Sequence, residues 1–350
     1  TEFAQKLLKE GKAYTEKSPE REGEAIIFKV MPQQVKIDDL IRKEIKFDAA
    51  LIKDQVLIKS DGTPTYNFAC VVDDAAMEIT HVIRGDDHIS NTPKQALLYE
   101  ALGFKLPKFA HLPLIMGIDG GRLSKRTGAT AISDYRKMGY LPGALANYLL
   151  LLSWAPGNNR ELIDINEAIK LFDLTGVNKT AATFDLKKLG WINNQYLKNE
   201  DSEKLTDEII PMLIEKGYIQ KDNFDRNYIS SLVKLFQPRM SVVNDFPEWA
   251  DFFFVEDLNI DPAAAEKYLN KDLSREFKLF LERLKGLKSF DIVSIEESFR
   301  GLVGELGIEA KALIHPLRVA LTGKTVGPGL FEAMYYLGSE RICKRLGKFI

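Results

Sequence analysis

The chain has 350 residues, more than one ordinary hydrophobic core can organise, so we expect two or three domains. Hydrophobic residues make up 45% of the sequence and charged residues 28%, which is typical of a soluble globular protein. The net charge of -2 excludes bulk electrostatic attraction to nucleic acid, so any RNA contact must depend on local basic patches.

The cysteines and the apolar runs further restrict the class of protein to which the chain can belong. The two cysteines, Cys70 and Cys343, lie far apart and in no CxxC or CxC pattern, which argues against a disulfide framework and a zinc site and favours a reducing compartment. Apolar runs such as 149–152 are too short to cross a bilayer, and we expect no signal peptide. The sequence therefore predicts a cytoplasmic protein that does not bind membranes. We also expect the protein to be monomeric.

The N-terminal part mixes one helix with short strands. Residues 1–9 carry an amphipathic helical stripe that Gly11 closes. Strand-like runs at 25–30, 44–47 and 55–60 are separated by turn signals and predict a small, partly antiparallel region. Because no initiator methionine precedes the first helix, we expect the chain to begin inside a domain.

From residue 66 onward, helices and strands alternate. Helices are predicted over 66–77 and 92–102, and strands over 79–84 and 112–116. This order forms a β-α-β unit with parallel strands, and such sheets bind ligands beyond the carboxyl ends of their strands. Beyond residue 129 the chain is predicted to be helical to its end, so the fold class is α/β followed by all-α.

Two polar segments, 84–88 and 117–126, fall at those carboxyl ends, and we expect them to face one pocket. The second segment is rich in glycine and strongly cationic. Glycine allows the backbone to approach a ligand closely, and lysine and arginine donate charge-assisted hydrogen bonds to anionic oxygens, which suits a polyphosphate. The alternative is a solvated basic hairpin.

Five motifs follow one another in the order found in bacterial glutamyl-tRNA synthetases, which this chain resembles over nearly its whole length. They lie at 60–69, 81–88, 122–126, 184–191 and 315–332. The third, Arg-Leu-Ser-Lys-Arg, is similar to the KMSKS signature of class I synthetases. The resemblance implies a glutamate–tRNA ligase, which activates L-glutamate with ATP and Mg²⁺ and transfers it to tRNA(Glu) in protein synthesis.

The resemblance also divides the chain into four regions. It implies a remnant of the connective, acceptor-binding region at 1–64, the second half of a Rossmann-type catalytic domain at 65–118, a KMSKS-type loop with a stem-contact region at 119–200, and a helical anticodon-binding cage at 201–350. The HxGH signature of class I enzymes is absent, since none of the four histidines has that spacing. We therefore expect an incomplete, inactive fragment whose N-terminal part is missing.

Many relatives have a longer stretch where this chain has residues 13–24, and some of them carry zinc-binding cysteines there. This stretch contains no cysteine. We therefore expect no zinc and no other protein-bound metal, with Mg²⁺ arriving together with ATP.

Four residues near the first polar segment are assigned by resemblance to substrate binding. Arg84 matches the arginine that binds the glutamate carboxylate, a task suited to the guanidinium fork, and Tyr66 matches a tyrosine that contacts the amino acid. Asp87 and His88 are expected near ATP. The alternatives are an ion pair of Arg84 with Asp86 or Asp87, a packing role for Tyr66 and a structural hydrogen bond for His88.

In the KMSKS-like loop, Lys125 is the main catalytic candidate. Negative charge builds on the phosphoryl oxygens and the leaving pyrophosphate during adenylate formation, and a lysine that engages this charge mainly in the transition state raises the rate. Arg122 and Arg126 would support it electrostatically. Ser124 is expected to shape the loop, because the motif holds no base that could activate it.

Two pairs of basic residues are assigned to tRNA. Lys187 and Lys188 are expected to contact phosphates, which carry no sequence information. Arg239 and Arg318 match positions in the anticodon-reading helices, where arginine can stack on bases and bind their edges. The alternative is that either arginine pairs with a nearby carboxylate.

Two functions of different class remain open from the sequence. The chain is the bulk of a glutamate–tRNA ligase, or it is a truncated paralogue that binds tRNA without catalysis. The cationic loop at 122–127 favours the first, because a pure RNA-binding protein gains little from an ATP loop. A class I lysyl-tRNA synthetase is a weaker option, and a glutaminyl enzyme is disfavoured because its C-terminal region consists of β-barrels.

Overall fold

The computed structural model of the chain describes residues 1–17, 22–121, 123 and 131–350. The strands are β1 (Ala13–Lys17), β2 (Glu24–Phe28), β3 (Gln34–Asp39), β4 (Lys43–Asp48), β5 (Gln55–Ile58), β6 (His81–Gly85), β7 (Lys108–Leu112), β8 (Ile115–Met116) and β9 (Ala182–Thr183). The helices are α1 (Glu2–Lys9), α2 (Tyr66–Ala76), α3 (Thr92–Leu102), α4 (Ile132–Lys137), α5 (Pro142–Ser153), α6 (Ile165–Leu171), α7 (Leu186–Asn199), α8 (Ser202–Glu215), α9 (Arg226–Phe236), α10 (Asp245–Trp249), α11 (Pro262–Tyr268), α12 (Ser274–Lys285), α13 (Ile292–Leu306), α14 (Ala310–Thr322) and α15 (Leu330–Leu346).

The described residues divide into two compact units. Unit 1 comprises 1–131 and 145–186, and unit 2 comprises 132–144 and 187–350. Unit 1 contains the strands together with α1, α2, α3, α6 and most of α5, whereas unit 2 is helical. Within the part of the chain that the structure describes, every helix is too short or too polar to cross a membrane.

Unit 1 is built on three small sheets. An antiparallel sheet has the order β1-β2-β5, a mixed sheet has the order β4-β3-β7-β6, and β8 pairs with β9 in parallel. In the mixed sheet β7 runs parallel to both β3 and β6, with Asp39 opposite Phe109 and Arg84 opposite His111. The carboxyl ends of these three strands therefore carry Asp39, His111 and Arg84 side by side.

The core of unit 1 packs against this sheet. Helix α3 has its apolar residues nearly all buried, and it ends at Gly103, whose φ of +73° forms a left-handed C-cap. Strand β3 alternates exposed and buried positions, and its inward side chains are Val35, Ile37 and Asp39. A carboxylate thus occupies a position that the pattern reserves for an apolar side chain.

Most predicted elements of unit 1 are confirmed, but one strand is wrong. The helices predicted over 66–77 and 92–102 are α2 and α3, and the strand predicted over 79–84 is β6. The strand beside β6 is β7 and not 112–116, because Pro113 has no N–H to donate to a ladder. Residues 115–116 form β8 in a separate pair with β9, so the glycine-rich loop follows β8 and not the strand beside β6.

Aspartates fix where several helices of unit 2 begin. Asp201, Asp225, Asp261 and Asp291 each precede a helix and accept a hydrogen bond from a backbone N–H of its first turn. Those first-turn N–H groups have no partner inside the helix, so each carboxylate stabilises the helix start by about 1 kcal/mol.

A buried arginine ties the last helix to the rest of unit 2. Arg345 of α15 is almost fully buried and donates to the carbonyl oxygens of Leu321, Phe252 and Val255 at 2.6, 2.7 and 2.8 Å. Burial lowers the pKa of Arg345 to about 10. The side chain therefore acts mainly as a set of fixed donors that satisfy three carbonyl groups in the interior.

Gly139, which follows α4, lies close to a second backbone segment of unit 2. Its φ is +83°, and its carbonyl accepts a hydrogen bond from the backbone N–H of Val243 at 3.0 Å. A Cβ atom built on Gly139 would lie 2.8 Å from the backbone nitrogen of Asn244. Glycine is therefore required at this position for both conformation and space.

We expect Gly139→Ala to lower the free energy of unfolding of unit 2 by about 2–4 kcal/mol, because left-handed strain and a backbone clash add up. Gly217→Ala is the matched control: its φ is +72°, but no heavy atom lies within 4 Å of its added Cβ. Urea unfolding followed by circular dichroism measures both changes. Equal midpoints for the two variants would contradict the steric argument.

Candidate functional site

Arg84 lies at the end of β6 with its guanidinium held by neutral groups. Its Nε–H donates to His111 Nε2 at 3.2 Å, and its Nη2 donates to Thr92 Oγ1 at 2.8 Å. The guanidinium carbon also lies 5.5 Å from the centre of the Phe109 ring. Among the residues that the structure describes, no carboxylate lies within 4.0 Å of its nitrogens, and Asp74 acts on this half-buried cation only at longer range.

Behind Arg84 lies a buried acid and imidazole pair. His111 Nδ1 donates to Asp39 Oδ2 at 2.7 Å, and the backbone N–H of His111 donates to the same oxygen at 3.1 Å. Asp39 Oδ1 accepts from the backbone N–H groups of Ile41 at 2.9 Å and Arg42 at 2.7 Å. Asp39, His111 and Thr92 are each no more than 1% exposed.

Burial and hydrogen bonds together determine the charge of Asp39. Burial alone raises the pKa of this carboxyl, but the hydrogen bonds from Arg42, His111 and Ile41 outweigh burial, and the net pKa is lowered. Asp39 is therefore ionised at neutral pH, and a fully buried carboxylate is retained because every donor around it is directed at its oxygens.

Several polar side chains surround Arg84. Burial lowers the pKa of Arg84, and the nearby Tyr66, Cys70 and Asp74 oppose this effect. Burial also raises the pKa of the Cys70 thiol to about 11, and Asp74, which accepts its hydrogen bond at 3.5 Å, adds to the rise. Tyr66 is exposed, and its ring centre lies 6.2 Å from that of His88. The structure thus brings the predicted residues Tyr66, Arg84 and His88 into one neighbourhood.

Asp86 is paired elsewhere. Both of its carboxylate oxygens accept hydrogen bonds from Arg42, one from Nε at 3.1 Å and one from Nη2. The alternative ion pair between Arg84 and Asp86 is therefore not formed. His88 Nδ1 lies 3.3 Å from the Asn91 amide nitrogen, and its Nε2 lies 3.9 Å from an exposed oxygen of Asp87.

The base of the glycine-rich loop is a tight turn. The backbone N–H of Gly117 donates to the carbonyl of Gly121 at 2.7 Å, and Asp119 accepts from the N–H of Gly121 at 3.0 Å. Next to this turn, the N–H of Phe184 donates to the carbonyl of Met116 at 2.8 Å. The 184–191 motif therefore starts beside the base of the loop.

The catalytic candidates of this loop, Arg122, Ser124, Lys125 and Arg126, lie outside the described residues. Their assigned roles stay predictions. In the described ranges no three histidine, cysteine, aspartate or glutamate side chains are grouped as metal ligands.

The tRNA candidates lie in unit 2. Lys187 and Lys188 are exposed in the first turn of α7. Arg239 is exposed just after α9, and its Nη1 donates to the Leu235 carbonyl at 3.0 Å. Arg318 of α14 is half-buried and donates to the Pro328 carbonyl at 2.7 Å.

The two arginines lie close enough to affect each other. Burial lowers the pKa of Arg318, and the positive charge of Arg239 lowers it further. Within the described ranges neither arginine forms an ion pair with a carboxylate, so the alternative of a structural salt bridge is not seen. Unit 2 thus presents two adjacent cations.

Sequence reasoning missed Asp39, Thr92 and His111. Asp39 and His111 lie in segments that were not predicted as strands, and Thr92 begins the predicted helix 92–102; none of the three belongs to a motif with chemical spacing. The signal that could have found them was a carboxylate at an inward position of an alternating strand and a histidine within a buried one. Only the pairing of β3, β7 and β6 shows that these residues meet.

Family comparisons match both parts of the chain. Residues 12–191 match the family described as tRNA synthetases class I (E and Q), catalytic domain. Residues 204–350 match the family described as anticodon binding domain. Together the two matches confirm the expected class I synthetase catalytic domain followed by a helical anticodon-binding domain.

Individual relatives point the same way. The chain is 40% identical to glutamate–tRNA ligase 1 of Caldanaerobacter subterraneus, over 99% of this chain and 80% of that protein. It is 39% identical to glutamate–tRNA ligase 2 of Thermoanaerobacter pseudethanolicus, over 99% of this chain and 81% of that protein. The crystal structure of a glutamate tRNA ligase from Elizabethkingia meningosepticum, in complex with its amino acid, is similar with a TM-score of 0.81 and 32% identity, covering 99% of this chain and 70% of that one. The chain belongs to the glutamate–tRNA ligase family of class I aminoacyl-tRNA synthetases.

Proposed function

We propose that this chain binds the side-chain carboxylate of L-glutamate through Arg84, as part of the ATP-dependent formation of glutamyl-tRNA(Glu). The observation that carries the proposal is a half-buried guanidinium whose partners in the described part of the chain, His111 and Thr92, are neutral. A half-buried cation with no carboxylate in direct contact favours an anionic ligand.

The hydrogen bonds of Arg84 leave one edge for that ligand. Nε and one proton of Nη2 are directed at His111 and Thr92, so the opposite edge, Nη1 with the second Nη2 proton, can donate to both oxygens of a carboxylate. Glutamine would offer an uncharged amide with one acceptor and would bind more weakly. The charge of Arg84 therefore supports a preference for glutamate.

The neighbouring residues take the roles assigned by family resemblance. Tyr66, exposed and near Arg84, contacts the amino acid, and Asp87 and His88 lie near ATP. Lys125, with Arg122 and Arg126, stabilises the charge that develops as the glutamate α-carboxylate attacks the α-phosphate, and Ser124 shapes the loop. Mg²⁺ is bound through the phosphates of ATP and offsets part of their charge.

The tRNA is bound by two kinds of contact. Lys187 and Lys188 neutralise backbone phosphates, which positions the RNA without reading its sequence. Arg239 and Arg318 read the unpaired anticodon bases by stacking and edge contacts. Their proximity and the lack of a described carboxylate partner support this assignment.

The second candidate is a tRNA-binding protein without catalysis. It is favoured by one observation: none of the four histidines stands in an HxGH sequence. We accordingly propose that these 350 residues by themselves do not form glutamyl-adenylate.

ATP–pyrophosphate exchange tests this proposal. We expect no glutamate-dependent exchange above background from the 350-residue chain. A version extended at its amino terminus with the HxGH-bearing segment of a relative should gain exchange. Exchange by the unextended chain would contradict the proposal, and its absence in both versions would favour the tRNA-binding candidate.

The extended version also isolates the role of Lys125. We expect Lys125→Ala to lower kcat by about 10²-fold or more, because the lysine acts on charge that develops in the transition state. A change confined to the apparent affinity for ATP would mean ordinary ground-state binding.

Filter binding of the 350-residue chain tests the tRNA contacts. We expect affinity for tRNA(Glu) to fall as salt rises, and replacement of Lys187 and Lys188 by alanine to weaken all tRNAs alike. Replacement of Arg239 or Arg318 should reduce the preference for tRNA(Glu) over an anticodon-swapped variant by about 1–3 kcal/mol, the scale of a lost bidentate base contact. Equal losses on both RNAs would show that these arginines belong only to the charged surface.

A further inference from the structure

The strongest unassigned feature is the buried chain of hydrogen bonds behind Arg84. It runs from Asp39 through His111 to the guanidinium and crosses three parallel strands. No motif in the sequence contains Asp39 or His111, and neither belongs to the roles proposed above. Burying a carboxylate and an imidazole together is costly unless each polar atom has a partner, so their placement calls for an explanation.

The hydrogen bonds define which ring nitrogen of His111 carries the proton. Asp39 is ionised and can only accept, so Nδ1, at 2.7 Å from its oxygen, is protonated. Nε2 lies 3.2 Å from the Nε–H of Arg84, and an arginine can only donate. Two donors cannot bond to each other, so Nε2 carries a lone pair and His111 is the neutral Nδ1–H tautomer.

This tautomer determines the orientation of the guanidinium. The Nε2 lone pair and the Thr92 hydroxyl together hold the Nε–Nη2 edge of Arg84. Thr92 Oγ1 also lies 3.0 Å from His111 Nε2, so the two atoms that accept from Arg84 lie side by side. Because the guanidinium is planar, holding one edge fixes the direction of the opposite edge.

We infer that Asp39 and His111 are positioning residues for substrate binding: Asp39 holds His111 as the Nδ1–H tautomer, and the bare Nε2 holds Arg84 with its open edge directed at the glutamate side chain. The inference rests on the proposed role of Arg84. Neither residue touches the substrate. A carboxylate that sets the tautomer of a histidine acts in the same way in the Ser-His-Asp triad, where its amide variant yields the wrong tautomer.

Asp39→Asn tests the inference by reversing the tautomer. Oδ1 accepts from two backbone N–H groups, those of Ile41 and Arg42, and Oδ2 from only one, that of His111, so the amide oxygen of asparagine is favoured in the Oδ1 position. The amide NH₂ then faces His111 Nδ1, which must accept, and the ring proton moves to Nε2. That proton then faces the Nε–H of Arg84, so Nε2 of His111 can no longer accept a hydrogen bond from the guanidinium.

Nitrogen-15 NMR of the full 350-residue chain gives the first readout. With labelled histidine, the His111 ring is assigned by the signal lost in His111→Gln, and the spectrum reports which nitrogen is protonated. We expect Nδ1–H in the wild type and Nε2–H in Asp39→Asn, with solvent exchange of the Arg84 Nε–H faster by about tenfold or more in the variant. An Nε2–H wild type, or unchanged exchange after the tautomer reverses, would overturn the inference.

Glutamate binding by calorimetry gives the second readout. We expect Asp39→Asn and His111→Leu to weaken glutamate by about tenfold and to change the affinity for ATP with Mg²⁺ by less than about twofold. His111→Gln should retain more affinity than His111→Leu, because its amide oxygen can still accept from Arg84. If both Asp39→Asn and His111→Leu bind glutamate as the wild type does while Arg84→Met does not, the positioning role is wrong.

Two controls separate this inference from other causes. Asn147→Leu removes buried hydrogen bonds to Glu161 and Ile163 in the same unit, so it measures the effect of lost stability alone. We expect Asn147→Leu to leave glutamate affinity unchanged. If it weakens glutamate binding as much as Asp39→Asn and His111→Leu do, the losses in those two variants are caused by unfolding. If Arg84→Met leaves glutamate affinity unchanged, the proposed substrate role of Arg84 is wrong. Solvent exchange of the Arg84 Nε–H then remains the test of whether His111 positions Arg84.

Discussion

The hydrogen bond between Asp39 and His111 is the interaction on which the position of Arg84, our proposed glutamate-binding residue, depends. It joins the ends of β3 and β7, and His111 in turn reaches Arg84 on β6. The parallel pairing of these strands brings one acid, one neutral ring and one cation into a row. A reaction that must select a carboxylate from water requires such a fixed cation, because a mobile arginine would remain hydrated or would pair with a nearby acid.

The two units use charge in different ways. In unit 1 the guanidinium of Arg84 is half-buried and oriented by neutral acceptors, which suits a small anionic ligand. In unit 2 Arg345 is buried as an architectural donor, whereas Arg239 and Arg318 lie together without a described carboxylate partner. The same residue type thus serves packing in one place and, in our proposal, RNA contact in another. The burial and the hydrogen-bond partners of each arginine distinguish these roles, whereas the amino-acid composition of the chain does not.

The sequence predicted the helices well and the sheet less well. Helix α3 is marked by Pro93 in its first turn and by Gly103 just past its end, and the bounds of α2 and α3 were predicted within one residue. Strand β7 was not predicted because its buried residues include His111, and the apolar run after it is interrupted by Pro113. Arg84 was proposed as a site residue because its motif resembles a family signature. Asp39 and His111 were missed because their chemistry depends on contacts between segments 72 residues apart, which no local pattern encodes.

Recognition of the amino-acid side chain by the charge of Arg84 is the central claim. The most direct measurement is the ratio of the dissociation constants for glutamine and glutamate, in the wild type and in Arg84→Gln, a variant that keeps polarity and removes charge. We predict that the wild type prefers glutamate by about tenfold or more and that the variant binds both amino acids with nearly equal, weak affinity. A variant that keeps the full preference for glutamate would contradict this claim.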